Sequence, residues 1–265
     1  EEQQQLHGGN ILEIVPVQEL RRLTLQWPII ISSQEVLDKL LLLKPEDVVS
    51  HLIGHEGKGS IRSLLVANGW ANEISAAIST ELSDLYQFEV SVDLTENGFQ
   101  KRTEIIDLIY YYIDNLLKDD KIDSYVYEEI EQLSKVAFDY SEKQDPMDLT
   151  SGIVKDMQLY RNPAKYFSGP RMYTYYPTKS EKAVQWFLNF LKRDNSYIQI
   201  ISKDFEGQTN LVDDIYGTKY NNVTVTAAKT KSNLNTNIGI NKLALPRPND
   251  LIPTNFDLVS KAYPM

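Results

Sequence analysis

Two of the chain's three histidines, His51 and His55, lie four residues apart in the segment HLIGHEGKGS, and Glu56 follows directly. Residues at this spacing share one face of a helix. Imidazole and carboxylate groups are common zinc ligands. The segment therefore raises the question of whether this chain carries a metal site.

The spacing fails both zinc motifs that it suggests. HExxH, started at His55, requires a second histidine where Gly59 stands. HxxEH, started at His51, ends correctly at His55 but requires a glutamate at Gly54. Glu56 lies about 200° around the helix from that place. We predict that this chain has no metal site and that the histidines pack or cap a helix end. An autonomous metal enzyme using both histidines and Glu56 stays open as an alternative.

Glu56 stands where the pattern predicts a helix end. Unpaired backbone carbonyls give a helix C-terminus partial negative charge, so a carboxylate there is unfavourable unless a cation lies nearby. Lys58 or Arg62 can supply that cation. A bound ammonium group can supply it as well.

Alternating and helical patterns predict the elements that position these residues. LKPEDVVSHLIGH is typical of a helix with Pro45 at its first position, and Ser60 is typical of the cap of the next helix. We predict an α+β fold in which helices flank a mainly antiparallel sheet. The predicted strands are ILEIVPV, Leu23–Trp27, an antiparallel pair formed by ISAAIST and LYQFEVSVDL, and Tyr197–Lys203; the predicted helices are residues 98–117, 124–140, and two that start near Pro146 and Ser180.

Composition limits the classes of protein to consider. The chain has 265 residues, a net charge of -10 and no cysteine, which excludes a disulfide framework and a thiolate metal site. The acidic balance argues against nucleic acid as a partner. No apolar run approaches the roughly 20 residues of a transmembrane helix. The chain begins Glu1-Glu2-Gln3 without an initiator methionine. We expect it to be a piece of a longer protein, with a cytoplasmic location.

Several sequence blocks, in order, resemble one family. HLIGHEGKGSIRSLLVANGWANEIS resembles the second domain of the M16 (pitrilysin) zinc peptidases, in the insulin-degrading-enzyme-like branch. IVPVQELRRLTLQWPI, VSVDLTENGF, IISKDFEGQTN, YGTKY and LALPRPNDLIPTNFDL match in the same order. The resemblance covers residues 11–258. The IPTNF ending is similar to that of the fungal members that mature a mating pheromone.

The resemblance implies a domain without catalysis of its own. The family's HxxEH zinc motif lies in its first domain, so it implies zinc and endopeptidase activity for the parent protein and an inactive fragment here. It implies an M16 fold of the LuxS/MPP-like metallohydrolase type. We assign residues 1–10 to a flexible N-terminus, 11–243 to the second domain, and 244–265 to an extended linker toward the missing half. The remaining domains of the parent chain are expected partners.

The resemblance also implies a substrate-binding site. In the family, the second domain anchors the N-terminus of a peptide substrate, which adds as a strand to a sheet edge. Carried over by motif, the residues are His51, Gly54, Glu56, Ile74 and Ala76. The chain departs from the insulin-degrading-enzyme pattern where Ala76 and Ala77 replace paired glycines. A catalytically inactive scaffold or protein-interaction module stays the alternative function.

Overall fold

The centre of the fold is one sheet, seen in a computed structural model that describes residues 10–118, 122–224 and 238–257. Within this part of the chain the sheet has seven strands in the order β3-β4-β2-β5-β1-β7-β6. The strands are β1 (Asn10–Ile14), β2 (Arg21–Ile30), β3 (Ala71–Glu81), β4 (Leu85–Leu94), β5 (Tyr197–Ser202), β6 (Leu211–Val212) and β7 (Lys219–Thr224).

Strand pairing is antiparallel except between β1 and β5, where Ile11 lies opposite Ile198. The pairing of β3 with β4 confirms the antiparallel pair predicted from the sequence. The mainly antiparallel sheet with flanking helices confirms the predicted α+β class.

Helices cover one face of the sheet. Their bounds are α1 (Gln34–Leu43), α2 (Pro45–Ile53), α3 (Ile61–Ala67), α4 (Glu96–Gln100), α5 (Arg102–Tyr112, continued by a π-helical turn, Ile113–Lys118), α6 (Ser124–Asp139), α7 (Pro146–Leu159) and α8 (Lys179–Leu188). Their buried side chains join those of the sheet in one core. The β4 side chains predicted to face this core do so, and all are at most 1% exposed: Tyr86, Phe88, Val90 and Val92.

Polar side chains on the opposite face of the sheet form hydrogen bonds between neighbouring strands. The Gln26 amide donates to Glu89 Oε2 at 2.8 Å, and Gln199 donates to Gln26 Oε1 at 3.2 Å. This face therefore carries a row of side-chain hydrogen bonds across β4, β2 and β5.

Two helical regions differ from the prediction. The sequence analysis did not assign α1, which is capped by Ser33 and joins α2 through Lys44, whose φ is +41°. The single helix predicted over residues 98–117 is divided. Thr95 caps α4 as expected, but the backbone turns at Lys101, with φ -104°, before α5 begins.

The sequence analysis assigned no strand after Lys203, whereas in the structure β6 and β7 form a hairpin there. The polar run KTKSNLNTN and residues 1–9 lie outside the described residues. Residues 244–257 contain no helix or strand and lie along α6. There the Asn249 N–H donates to Glu129 Oε1 at 2.7 Å, and Gln132 Nε2 donates to the Pro253 carbonyl at 3.1 Å. In the described part of the chain, every helix is too short or too polar to cross a membrane.

Candidate functional site

Helix α2 positions the N-terminal half of the HLIGHEG motif. Pro45 fits its first turn, where an N–H group would lack a helical partner anyway. Val48, Val49, Leu52 and Ile53 lie on its buried face and are at most 1% exposed. This packing fixes the direction in which the helix end points.

Glycines make the turn after α2 possible. Gly54 closes the helix by donating its N–H to the Ser50 carbonyl at 2.8 Å. A Cβ atom on Gly57 would lie 2.5 Å from His55 Nε2, and Gly59 has φ +91°. Ser60 then caps α3 by accepting from the Ser63 N–H at 3.0 Å. The tight turn holds Gly54 and Glu56 at the exposed end of α2.

The two histidines are half-buried neighbours whose ring centroids lie 6.2 Å apart. Burial lowers the pKa of both imidazoles, and for His51 the neighbouring His55 lowers it further. Glu129 on α6 opposes the shift at both rings. Across residues 10–118, 122–224 and 238–257, no three His, Asp or Glu side chains come together in a group that could hold a metal ion.

Glu56 is exposed, and the cation beside it is Arg62, one of the two that the sequence suggested. Its Oε2 lies 3.6 Å from Arg62 Nη1, and 70% of the Glu56 side chain is accessible. Among the described residues the Gly54 carbonyl accepts no hydrogen bond. A carbonyl oxygen and a carboxylate thus share one end of α2, and both are acceptors suited to an ammonium group.

Strand β3 supplies the other half of the site. It is the terminal strand of the sheet, so in the described part of the chain one of its edges is unpaired. Ile74 is 3% exposed and its side chain lies in the core, so only its backbone groups are available to a bound peptide. Ala76 is half-buried and Ala77 is exposed. Register shifts between Ala71 and Glu73 and between Ile78 and Thr80 limit the regular edge to the residues between them.

The start of β3 is fixed by contacts around Trp70. The Thr95 N–H donates to the Trp70 carbonyl at 3.1 Å, and Thr95 Oγ1 donates to the Gly69 carbonyl at 2.7 Å. Gly98 packs so closely that a Cβ atom on it would lie 1.7 Å from the Trp70 oxygen. These contacts connect the GWAN and LTENG segments and locate the beginning of the edge strand.

A groove that sequence reasoning missed lies between α2 and β3. It has a volume of about 270 Å³ and is lined by Leu41, Lys44, Glu46, Asp47, Ser50, Ala76, Ala77, Ile78, Glu81, Tyr160 and Pro170. The N-terminal half of α2 thus lies beside the second half of β3.

Electrostatics in this groove are unusual for a surface. Burial raises the pKa of the Glu46 carboxyl well above its usual range, and the neighbouring Asp47 carboxylate raises it further. The pKa of the Asp47 carboxyl is raised as well, and the Lys44 ammonium opposes the shift at both carboxyls. Burial lowers the pKa of the Lys44 ammonium, which donates to the Met172 carbonyl at 2.9 Å. Lys44, Glu46 and Asp47 adjoin one another in the sequence, and only three-dimensional packing brings Glu81 of β3 to them.

Comparisons with known proteins match nearly the whole chain. A family model described as "Peptidase M16 inactive domain" matches residues 6–133, and one described as "Middle or third domain of peptidase_M16" matches residues 138–264. The insulin-degrading enzyme of Drosophila melanogaster is 30% identical over 251 residues, which are 94% of this chain and 24% of that protein. The A-factor-processing enzyme of Saccharomyces cerevisiae is also 30% identical, over 94% of this chain and 23% of its own length.

Among solved structures, the crystal structure of pitrilysin superposes with a TM-score of 0.82 at 21% identity. The match covers 95% of this chain and 26% of that one. The chain thus spans about a quarter of the length of the proteins it matches.

Proposed function

The chain belongs to the M16 peptidase family, and on that premise we propose that it anchors the N-terminus of a peptide substrate for a zinc-dependent endopeptidase. It comprises segments that the family describes as its inactive domain and its middle or third domain. The observation that supports anchoring is the location of two oxygen acceptors, Gly54 O and Glu56 Oε2, at the end of a helix that runs along an unpaired strand edge.

The proposed binding mode uses main-chain and charge contacts together. A peptide strand pairs with the regular edge of β3, where Ile74 and Ala76 offer backbone groups, so affinity depends little on side chains. Its terminal ammonium has three N–H donors, which meet the Gly54 carbonyl and the Glu56 carboxylate. His51, half-buried and one turn before Gly54, lines the same end of α2.

The catalytic chemistry is proposed for another part of the parent protein. The residues that the structure describes offer no set of ligands for zinc. No catalytic step is therefore assigned to this chain. Anchoring one end of a peptide contributes to catalysis by positioning a distant bond, because binding energy at a remote site orients the reacting group.

Similarity to the A-factor-processing enzyme supports processing of peptides such as a pheromone precursor as the activity of the parent protein. The cysteine-free composition supports a cytoplasmic location, since reducing compartments do not select for disulfides. The remaining domains of the parent chain are the proposed protein partners.

A titration followed by NMR tests the anchor. An extended peptide with a free N-terminus, and its N-acetylated twin, are added to the chain labelled with ¹⁵N. We expect shifts centred on Gly54, Glu56 and residues 74–76 with the free peptide, and their loss on acetylation. The variant Glu56→Gln should weaken binding of the free peptide, whereas the matched variant Glu142→Gln, in an exposed loop, should not. Equal shifts from both peptides would show that no ammonium is recognised.

A second function, an inactive scaffold or interaction module, has a specific observation in its favour. Arg62 already lies beside Glu56, and the methyl groups of Ala76 and Ala77 narrow the approach to the strand. Absence of any shift along β3 with either peptide would favour the scaffold.

A further inference from the structure

We propose that the groove between the N-terminal half of α2 and β3 is a subsite for a basic side chain, Lys or Arg, of the peptide that pairs with β3. This inference rests on the proposed function and names the substrate class of the same surface. The groove is the one defined above by its eleven lining residues, of which Leu41 is the first and Pro170 the last.

The first argument is charge. Three carboxyl groups line the groove, on Glu46, Asp47 and Glu81. Glu81 already forms an ion pair with Lys155 at 3.2 Å, which leaves Glu46 and Asp47 against one ammonium, that of Lys44. Lys44 is 6% exposed and donates to the Met172 carbonyl. Within the described residues it forms no ion pair with any of the three carboxylates. The groove is therefore complementary to a cation that enters from solvent.

The second argument is an unpartnered oxygen. Oε2 of Glu46 is inaccessible to water and, within the described residues, has no hydrogen-bond partner. A buried carboxylate oxygen without a donor is costly, and a charged donor removes that cost. The pKa values of Glu46 and Asp47 are raised even though the Lys44 ammonium lowers both, so a further cation in the groove would stabilise their ionised forms.

The third argument is distance along the peptide. Gly54 is seven residues after Asp47, which is about 10 Å along a helix. An extended peptide covers the same distance in about three residues. A peptide whose ammonium lies at Gly54 and Glu56 thus brings its fourth residue, approximately, to the groove.

The groove walls suit a long basic side chain. Leu41, Ile78, Tyr160 and Pro170 supply apolar surface for the methylene stem. The carboxyl groups of Glu46 and Asp47 line the same groove and are the proposed partners of the charged end. Lys and Arg bury their stems in this way while the charged group meets polar partners.

Four peptides test the proposal without changing the protein. They are extended sequences with Lys or norleucine at position four, each with a free or an acetylated N-terminus. Norleucine keeps the four-carbon stem of Lys and lacks the ammonium group. Affinity for the 265-residue chain is measured by calorimetry. We expect the Lys peptide to bind about tenfold more tightly than the norleucine peptide, the ratio given by one charge-assisted hydrogen bond. The same ratio is expected in the acetylated pair, at lower affinity.

Variants locate the effect. Asp47→Asn and Glu46→Gln remove charge at nearly constant volume and should each reduce the ratio to about threefold or less. Glu206→Gln is the matched control, because Glu206 lies on an exposed turn after β5, at the end of the sheet opposite Glu81. It should leave the ratio unchanged. If Glu46→Gln fails to fold, the peptide comparison on the unchanged chain still decides.

The outcomes separate the two proposals. Equal affinity for Lys and norleucine peptides, with acetylation still weakening both, overturns the subsite and leaves the anchor standing. A Lys preference that persists while acetylation has no effect overturns the anchor and supports the subsite. If none of the four peptides binds, both proposals are wrong for this chain.

Discussion

Replacement of Gly98 by alanine should destabilise the domain, although Ala is the better helix former. In a free helix this change stabilises by about 0.5–1 kcal/mol. In α4, however, the added Cβ would lie 1.7 Å from the Trp70 oxygen. A Cβ atom essentially never lies closer than 3.0 Å to a non-bonded heavy atom, so the backbone must move by more than about 1 Å to relieve this contact. We therefore expect the steric cost to exceed the gain in helix propensity.

The movement breaks identifiable contacts. Thr95 donates to the carbonyls of Gly69 and Trp70, at 2.7 Å and 3.1 Å, and each hydrogen bond is worth about 1 kcal/mol. Overpacking adds about 1–3 kcal/mol. The expected net loss of unfolding free energy in Gly98→Ala is about 2–4 kcal/mol. Because urea m-values are about 1–3 kcal/mol per molar, the midpoint should fall by about 0.7 M or more.

Gly152 in α7 is the matched control, since a Cβ on it would meet no atom within 4 Å. Gly152→Ala should raise the unfolding free energy by about 0.5–1 kcal/mol. Urea unfolding followed by circular dichroism measures both variants. If Gly98→Ala and Gly152→Ala shift the midpoint in the same direction, the close packing of α4 on Trp70 is not what fixes the start of β3.

Three further outcomes are expected. Glu56→Gln should change the unfolding free energy by less than about 0.5 kcal/mol, because the ion pair with Arg62 is exposed. The same variant should weaken binding of a peptide with a free amine. A large loss of unfolding free energy in a urea titration would contradict the first expectation. The pKa values of His51 and His55, measured by NMR, should lie below the ordinary value for histidine. Because the unfolded state then binds more protons than the folded state, the unfolding free energy should fall as pH drops below about 6.5. A urea midpoint that does not change between pH 7 and pH 5 would refute this. Tyr110→Phe should cost about 1–3 kcal/mol, because its hydroxyl donates to buried Ser196 Oγ at 2.6 Å. In a double-mutant cycle Ser196→Ala should cost less in that background than in the unchanged chain, because only its hydrogen bond to the Arg193 carbonyl is then left to lose; equal costs would contradict the Tyr110–Ser196 coupling.

Short-range sequence patterns predicted much of the sheet, because each pattern has a local physical cause. Alternation in LYQFEVSVDL identified the buried face of β4 correctly. Pro45 and Ser60 located the starts of α2 and α3, as expected for residues whose preferences are set by unpaired backbone N–H groups. Such signals lie within a few residues of each other and need no knowledge of the rest of the chain.

The prediction errors occur where contacts between residues far apart in the sequence determine the local structure. The break at Lys101 follows from the packing of α4 against Trp70, about thirty residues earlier, and the β6–β7 hairpin is completed by pairing of β7 with β1. In the site, the pattern placed Glu56 at a helix end and proposed Arg62 as a possible cation, which the structure shows at 3.6 Å. The acidic groove was not predictable, because its carboxyl groups come from α2 and β3, which meet only in the folded chain.

The order of strands also constrains how the protein is made. β1 pairs with β5 and β7, so residues 10–14 have no partner until residues 198–224 have been synthesised. β5 and β7 belong to the segment matched by the second family model, whereas β1 and β2 belong to the first. A chain stopped between the two segments would expose the edge of β2 to other unfinished chains, a route to aggregation. The two matched segments are therefore one unit of folding, and during translation the first must wait for the second.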